Sequence, residues 1–444
     1  MTLLPGQDGL RLDQAPPLAI PARFFATVPV ALAAVGGVLL VHGGAALSSR
    51  WLPATVALTH LLTLGVAAMA MIGALYQMIP VVAGVPVPRI GLAKAVHALL
   101  CTGLAALVSG LLHPQAQWLF HAAEWSLGAA LLGFVVPTVL ALWRAPTKSP
   151  TVAGMRLAMA ALIALITAGL VLAWQYATGI YTPHRVPLLT LHALLGGVGW
   201  VGVLIAAVSW QVLPMFYLAH APPPRRQSQF LGVVAASLGG ATVAALLTLG
   251  GVDLGPLPPQ HWIAALAGPA VVAIWLVAPL GVLRALQQRK RPRKDASLQF
   301  WYGSQAAALA TALCGALALV VDDDRALLAA GWLAAVGWAA GTIHGMLTRI
   351  VPFLVWFHRF SHLVGLQPVL PMNRLWPDRW ARLGFWSHAA LLALGLVAIG
   401  MQYDLLVRLA GAAAVLTALS LAAGLYKVLA ARPVTAPAPA TANP

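Results

Sequence analysis

The sequence predicts an all-α polytopic membrane protein with about 12 transmembrane helices, arranged as three pseudo-equivalent four-helix units. Three observations predict it: little charge, apolar runs of membrane-spanning length, and a pattern that recurs along the chain. Only 8% of the 444 residues are charged and 61% are apolar, whereas a soluble domain carries about 25% charged residues. A chain with so few charges cannot cover its surface for water, so we expect a lipid bilayer to be its main partner.

The apolar runs define the spans, because a hydrocarbon core of about 30 Å takes about 20 helical residues. The predicted spans are 25–46, 54–82, 91–112, 118–142, 153–175, 187–216, 229–250, 261–284, 299–321, 326–357, 381–400 and 404–429. They form one transmembrane domain over residues 25–430. An N-terminal segment, 1–24, precedes it. A Pro/Ala/Thr-rich tail, 431–444, follows it, and we expect this tail to be disordered.

The basic residues predict which way the chain faces. Of the 26 Lys and Arg residues, 21 lie on the side that holds both termini and the loops after the even-numbered spans, and 4 lie on the other side. Basic loops face the cytoplasm, so we expect both termini there and a location in a bacterial-type inner membrane. The net charge of +16 and the basic loop 289–294 thus report topology, and nucleic acid is not an expected partner.

A short pattern recurs near the ends of spans 2, 6 and 10, where a polar residue stands three positions before a proline. The three pairs are Gln77 and Pro80, Gln211 and Pro214, and Arg349 and Pro352. The prolines are 134 and 138 residues apart, and each interval holds four spans. The chain therefore divides into repeat units at about 25–142, 153–284 and 299–429. Equivalent helices of such units usually meet at the symmetry axis, where sites are built.

Two histidines occupy similar depths in the repeat. His60 precedes its repeat proline by 20 residues and His192 precedes its own by 22, a difference of about 3 Å along a helix axis. Two neutral imidazoles at one level on neighbouring helices can ligate a haem iron axially or hold copper. The plainer interpretation is that each is an interfacial residue with a hydrogen-bond partner.

Two further histidines are candidate metal ligands at other places. His42 lies at the end of span 1, on the same side of the membrane as His60. His344 precedes Pro352 by only 8 residues, which puts it roughly 18 Å deeper than His60. His344 and His60 are therefore not expected to share one metal.

Three other polar groups lie in or beside the spans. His121 and Glu124 share a helix face, as a proton-handling or ligand pair or as an interfacial ion pair. Arg349 needs a carboxylate, propionate or carbonyl partner, unless its side chain reaches the membrane surface. Arg408 either meets an anionic group or pairs with Asp404 four residues earlier.

Twelve spans in three groups of four, with histidines on spans 2 and 6, resemble the haem-copper oxidase catalytic-subunit superfamily. In that superfamily the span 2 histidine ligates a low-spin haem, the span 6 histidine ligates copper, and basic residues before span 12 hold the haem propionates. The resemblance implies these roles for His60, His192 and Arg408. The chain departs from the pattern at Gly196, where many members have tyrosine, and in 229–250, which has no histidine. A complete oxygen-reducing centre is therefore not predicted.

The segment from His344 to Phe353 is similar to segments of NnrS-type proteins, relatives linked to the nitric oxide response and said to hold haem and copper. The tryptophan-rich motif of that branch is absent, since the chain has Val81-Val82-Ala83-Gly84 near that point. The resemblance implies a haem- or copper-binding membrane protein acting in electron transfer, nitric oxide response or respiratory support, with respiratory-chain membrane subunits as possible partners.

Two other functions stay open. In a cofactor-free secondary transporter, Gln77, Gln211 and Arg349 would line a polar path and the histidines would relay protons or recognise substrate. In an accessory or assembly subunit, the surface would pack against a partner. No phosphate-binding loop, zinc-protease motif or nucleophile elbow is found in the sequence, so no catalytic residue is assigned and enzymatic activity is left undecided.

Overall fold

A computed structural model describes residues 12–290, 295–321 and 323–433, and these fold into twelve long helices joined by short connections. The helices are α1 (Ala19–Leu47), α2 (Pro53–Ala83), α3 (Ile90–Leu112), α4 (Gln117–Arg144), α5 (Pro150–Thr178), α6 (Arg185–Tyr217), α7 (Pro224–Leu249), α8 (Pro259–Gln287), α9 (Ala296–Leu317), α10 (Asp324–Arg359), α11 (Asp378–Met401) and α12 (Asp404–Ala430). Eleven are long and apolar enough to cross a membrane. The exception, α9, has 22 residues but includes Gln299, Ser304 and Gln305. The predicted fold class, a multi-pass helical membrane protein, is confirmed.

The observed helix ends differ from the predicted ones by a few residues. Helix α1 begins at Ala19, so the last part of the predicted N-terminal segment is helical. Helix α9 ends at Leu317, and the last residues of its predicted span form a turn. Residues 1–11, the loop residues 291–294 and the tail from 434 onward lie outside the described residues.

Local signals account for several helix starts. Pro53, Pro150, Pro224 and Pro259 each stand in the first turn of a helix, where a missing N–H leaves no intrahelical bond unmade. Asp295 caps α9 by accepting a hydrogen bond from the backbone N–H of Leu298. Backbone chemistry alone thus begins these helices close to the predicted positions.

The repeat predicted from the prolines reappears as a distortion of the backbone. Helices α2, α6 and α10 each contain an eight-residue π-helical segment, at Leu61–Ala68, Leu195–Gly202 and Leu333–Ala340. Their first residues are 134 and 138 residues apart, the same intervals as the prolines. The π segment of α2 packs against those of α6 and α10. Such segments are rare and often occur at functional sites.

Equivalent glycines show that the three units pack alike. Each π segment has a glycine at its fifth position, and a Cβ added there would lie 2.6–2.7 Å from the Cβ of an alanine on the unit's first helix. The glycine–alanine pairs are Gly65 with Ala31, Gly199 with Ala161, and Gly337 with Ala307. Neighbouring units join through α4 with α5, α8 with α9, and α12 with α1. The outer helices therefore close a ring around α2, α6 and α10.

A cavity of about 90 Å³ lies between the three central helices. Its lining includes repeat-equivalent positions, such as Met71, Ile205 and Ile343. The polar side chains among its lining residues are those of Ser209 and Thr342, with the indole of Trp301 at the edge. The axis of the bundle is therefore apolar where this cavity lies.

Candidate metal centre

His60 and His192 are neighbours, as their depths in the repeat predict. Their ring centroids lie 6.4 Å apart and their planes are inclined by 32°. His60 stands immediately before the π segment of α2, and His192 stands in the last turn before that of α6. Both side chains are half-buried. The two rings therefore meet where one central helix of each of the first two units begins.

The hydrogen bonds of the two rings bear on whether they could bind a metal. His60 Nδ1 lies 2.9 Å from the carbonyl oxygen of Val56, and because a carbonyl only accepts, Nδ1 carries the proton. Its Nε2 then has a free lone pair, the usual tautomer of a histidine ligand held by a backbone carbonyl. His192 Nδ1 is buried without a hydrogen-bond partner. His60 therefore keeps one ring nitrogen free, whereas the Leu165 carbonyl lies close enough to the His192 ring to accept a hydrogen bond from it.

A glycine on α5 makes room for the second ring. A Cβ added at Gly169 would lie 3.0 Å from Cε1 of His192 and 3.5 Å from Nδ1. Any side chain there would press on the ring edge, so glycine helps to set its position.

The separation of the rings fits a metal held between two imidazoles. A metal–nitrogen bond of about 2 Å places each ring centre roughly 3 Å from the metal, so two rings on opposite sides have centres about 6 Å apart. Among the described residues, no three His, Cys, Asp or Glu side chains converge. If a haem iron binds here, two imidazoles would suffice, because a porphyrin supplies the other four ligands. Two donors are too few for a divalent copper site built from protein side chains alone.

Arg408, the candidate partner for haem propionates, is bound at the crossing of α1 and α12. Its guanidinium pairs with Asp404 at 2.6 Å and donates to the carbonyl of Leu40. Asp404 also accepts from the backbone N–H of Gly44 at 2.7 Å. His42 lies beside this crossing, half-buried at the end of the α-helical part of α1. Arg408 therefore helps to form the α1–α12 junction.

His121 and Glu124 contact each other near the start of α4, with 3.8 Å between Nδ1 and Oε2. The histidine side chain is about half exposed and the glutamate about a quarter exposed. An exposed pair of this kind contributes little to stability.

Arg349 has a carboxylate partner. Its guanidinium pairs with Asp295, and the two side chains are only 12% and 19% exposed. The pair lines a second cavity, together with Thr348 and Asp378, at the end of the bundle where α10 ends. Gln77 and Gln211 occupy the equivalent positions of the other units, and Oε1 of Gln77 is buried without a hydrogen-bond partner.

His344 pairs with a histidine that sequence reasoning did not select. Its ring centroid lies 5.8 Å from that of His388 on α11, with the planes at 81°. Phe300 of α9 packs against both rings, at 4.5 and 5.6 Å. Both histidines stand in apolar spans, and this was the signal that could have selected them. The sequence could not predict that they pair, because the face that each presents depends on how α10 and α11 cross.

No protein-family model matches the chain, and no curated protein matches it.

Proposed function

We propose that this chain is a haem-binding membrane protein that transfers electrons, and that His60 and His192 would hold the haem iron. The observation that carries the proposal is the 6.4 Å between the two ring centroids, close to the separation that one metal between two imidazoles requires. When bound, haem supplies an iron that gains and loses one electron within a largely apolar setting.

The chain's own groups would position the ligands. The Val56 carbonyl fixes the tautomer and direction of the His60 ring, and Gly169 leaves space for the His192 ring. If His60 and His192 both held the iron, the haem would supply electron transfer and not turnover of oxygen or nitric oxide, since turnover would require one imidazole to leave. If the basic loops face the cytoplasm, as their charge predicts, the pair lies just beneath the outer membrane surface.

The test is the optical spectrum of the full chain, purified in detergent from cells that make haem, together with haem and metal analysis. We expect a low-spin Soret band and one haem per chain. His60→Ala and His192→Ala should each convert the haem to a high-spin form or lose it, and the double variant should contain none.

His121→Ala is the matched control, because it removes a histidine from the same end of the bundle and should leave the spectrum unchanged. A double variant that keeps the wild-type Soret band would overturn the assignment. So would wild-type protein that takes up no haem on reconstitution. Copper without a Soret band, lost in the double variant, would identify a bare copper site instead.

A cofactor-free transporter is less well supported. Gln77, Gln211 and Arg349 stand at equivalent positions, but none is among the residues that line the axial cavity. Arg349 is engaged with Asp295. The three groups therefore do not combine into a polar path along this cavity.

A further inference from the structure

A second pair of histidines is sealed inside the third unit. His344 is 2% exposed and His388 is 5% exposed, and their ring centroids lie 5.8 Å apart. That separation is again close to the roughly 6 Å expected for two imidazoles on opposite sides of one metal ion. The pair shares no residue with the site at His60 and His192.

The nitrogens of this pair are incompletely used. His388 Nε2 lies 3.0 Å from the carbonyl of Val336, so Nε2 carries the proton and Nδ1 keeps its lone pair. Nδ1 of His344 and Nδ1 of His388 are both buried without a hydrogen-bond partner. A buried polar atom left unpaired is unfavourable by about 1–3 kcal/mol, so a ligand that binds both nitrogens would remove two such costs.

Comparison with the other two units shows that the helix crossing does not require histidine. The central helices repeat at intervals of 134 and 138 residues, so the positions equivalent to His344 are Ala206 and Ile72. Leu104, Leu238 and Leu392 each lie against the equivalent glycine of their unit, so they occupy equivalent positions. His388 stands four residues before Leu392, and its equivalents are therefore Leu100 and Val234. Both other units therefore fill this place with apolar side chains. The histidines are an addition to the repeat and not a requirement of its packing.

Two glycines bring the surrounding helices close to the rings. A Cβ added at Gly384 of α11 would lie 2.8 Å from Nε2 of His344, and one at Gly341 of α10 would lie 2.6 Å from Oγ of Ser304. With Phe300 packed on both rings, the surroundings of the pair are too closely packed to hold a porphyrin.

We propose that His344 and His388 bind one copper(I) ion. Imidazole suits copper, and copper(I) is stable with two nitrogen ligands in a line. The rings contact Phe300, Gly341, Gly384 and the Val336 carbonyl, and none of these groups is an acid. A monovalent ion therefore leaves less uncompensated charge in this low-dielectric place than a divalent one.

The cavity where α10 ends provides an access route. Its lining includes Thr348 and Ala381, which lie about one helical turn from His344 and Gly384. The Arg349–Asp295 ion pair and Asp378 also line it, so Asp378 is the carboxylate there that could attract a cation.

The test measures copper bound to the full chain after copper(I) is added anaerobically to metal-free protein and the excess is removed. The decisive variant is His344→Ile with His388→Leu, which copies the residues of the first unit. It removes unpaired polar atoms, so we expect it to fold at least as stably as wild type without metal. It should bind one copper fewer than wild type. Each single His→Gln variant should lose the same one ion, and His60→Ala with His192→Ala should keep it.

Thermal unfolding gives a second measurement. Copper(I), or silver(I) as a redox-inert substitute, should raise the unfolding temperature of wild type and leave that of the Ile/Leu variant unchanged, because a ligand stabilises only the form that binds it. Equal copper content in wild type and variant, or an equal temperature shift, would overturn the proposal. Binding of zinc(II) in place of copper(I) would also overturn it.

Discussion

The two histidine pairs use the same donors in two different surroundings. His60 and His192 join two units where their central helices begin, and both are half-buried. His344 and His388 lie within one unit and are almost completely enclosed. The ring separations, 6.4 and 5.8 Å, differ little. The enclosure of the second pair excludes a large cofactor there, whereas the half-buried first pair is the one for which we propose haem.

The carbonyls that hold the rings differ as well. Val56 lies four residues before His60 in the same helix, so that contact forms wherever the helix forms. Val336 lies on α10 and holds His388 of α11, and it belongs to a π segment, where helical hydrogen bonding is shifted. The second pair thus depends on tertiary packing, and small changes in that packing should affect it more.

The largest expected effect is a reciprocal loss of cofactors. Replacing His60 and His192 with alanine should abolish haem and leave copper content unchanged, while the His344→Ile and His388→Leu variant should do the reverse. The reason is that the pairs share no ligand and lie at different depths. Haem and copper analysis of the two preparations checks this. Loss of both cofactors in either variant would show that the pairs form one coupled site and would remove the contrast.

The next largest effect concerns the approach to the sealed pair. Asp295→Asn should lower the free energy of unfolding by about 2–3 kcal/mol, since a largely buried ion pair loses one charge. Asparagine still caps a helix, so α9 should begin normally. Copper(I) uptake should also become slower, while the Soret band stays the same. Denaturant unfolding and stopped-flow uptake measure these; an unchanged uptake rate would exclude this cavity as the route.

Gly384→Ala should have a smaller but clear effect on the sealed pair. The new methyl group meets the His344 ring at 2.8 and 3.0 Å and Oγ of Ser420 at 3.1 Å, and such overpacking lowers stability by about 1–3 kcal/mol. The higher helix propensity of alanine raises the free energy of unfolding by less than about 1 kcal/mol. We expect a net loss near 1 kcal/mol and weaker copper binding. Wild-type copper affinity in this variant would show that the pair tolerates displacement.

Most of the fold was predictable because the length and the apolar composition of a sequence run are enough to identify a membrane span. The lengths of the apolar runs predicted twelve spans. The pattern at Gln77, Gln211 and Arg349 predicted a repeat, and the π segments recur at the same intervals. The pairing of His344 with His388 and of Arg349 with Asp295 was not predictable, because it depends on which faces of α9, α10 and α11 meet. The similar depth of His60 and His192 was predictable, because both stand on central helices at similar distances from their repeat prolines.

Gly169→Ala should have the smallest effect. It tests whether the ring of the half-buried His192 can rotate to make room for an added methyl group. The added methyl group would lie 3.0 Å from Cε1 of His192, a tight contact that a small rotation of the ring relieves. The helix-propensity gain of alanine, up to about 1 kcal/mol, offsets the strain, so the free energy of unfolding should change by less than about 0.5 kcal/mol. A ring rotated in this way alters axial ligation, so we expect a shifted Soret maximum at full haem content. Complete loss of haem would show that this pair is held as rigidly as the sealed one, because only a fixed ring fails to move aside for one methyl group.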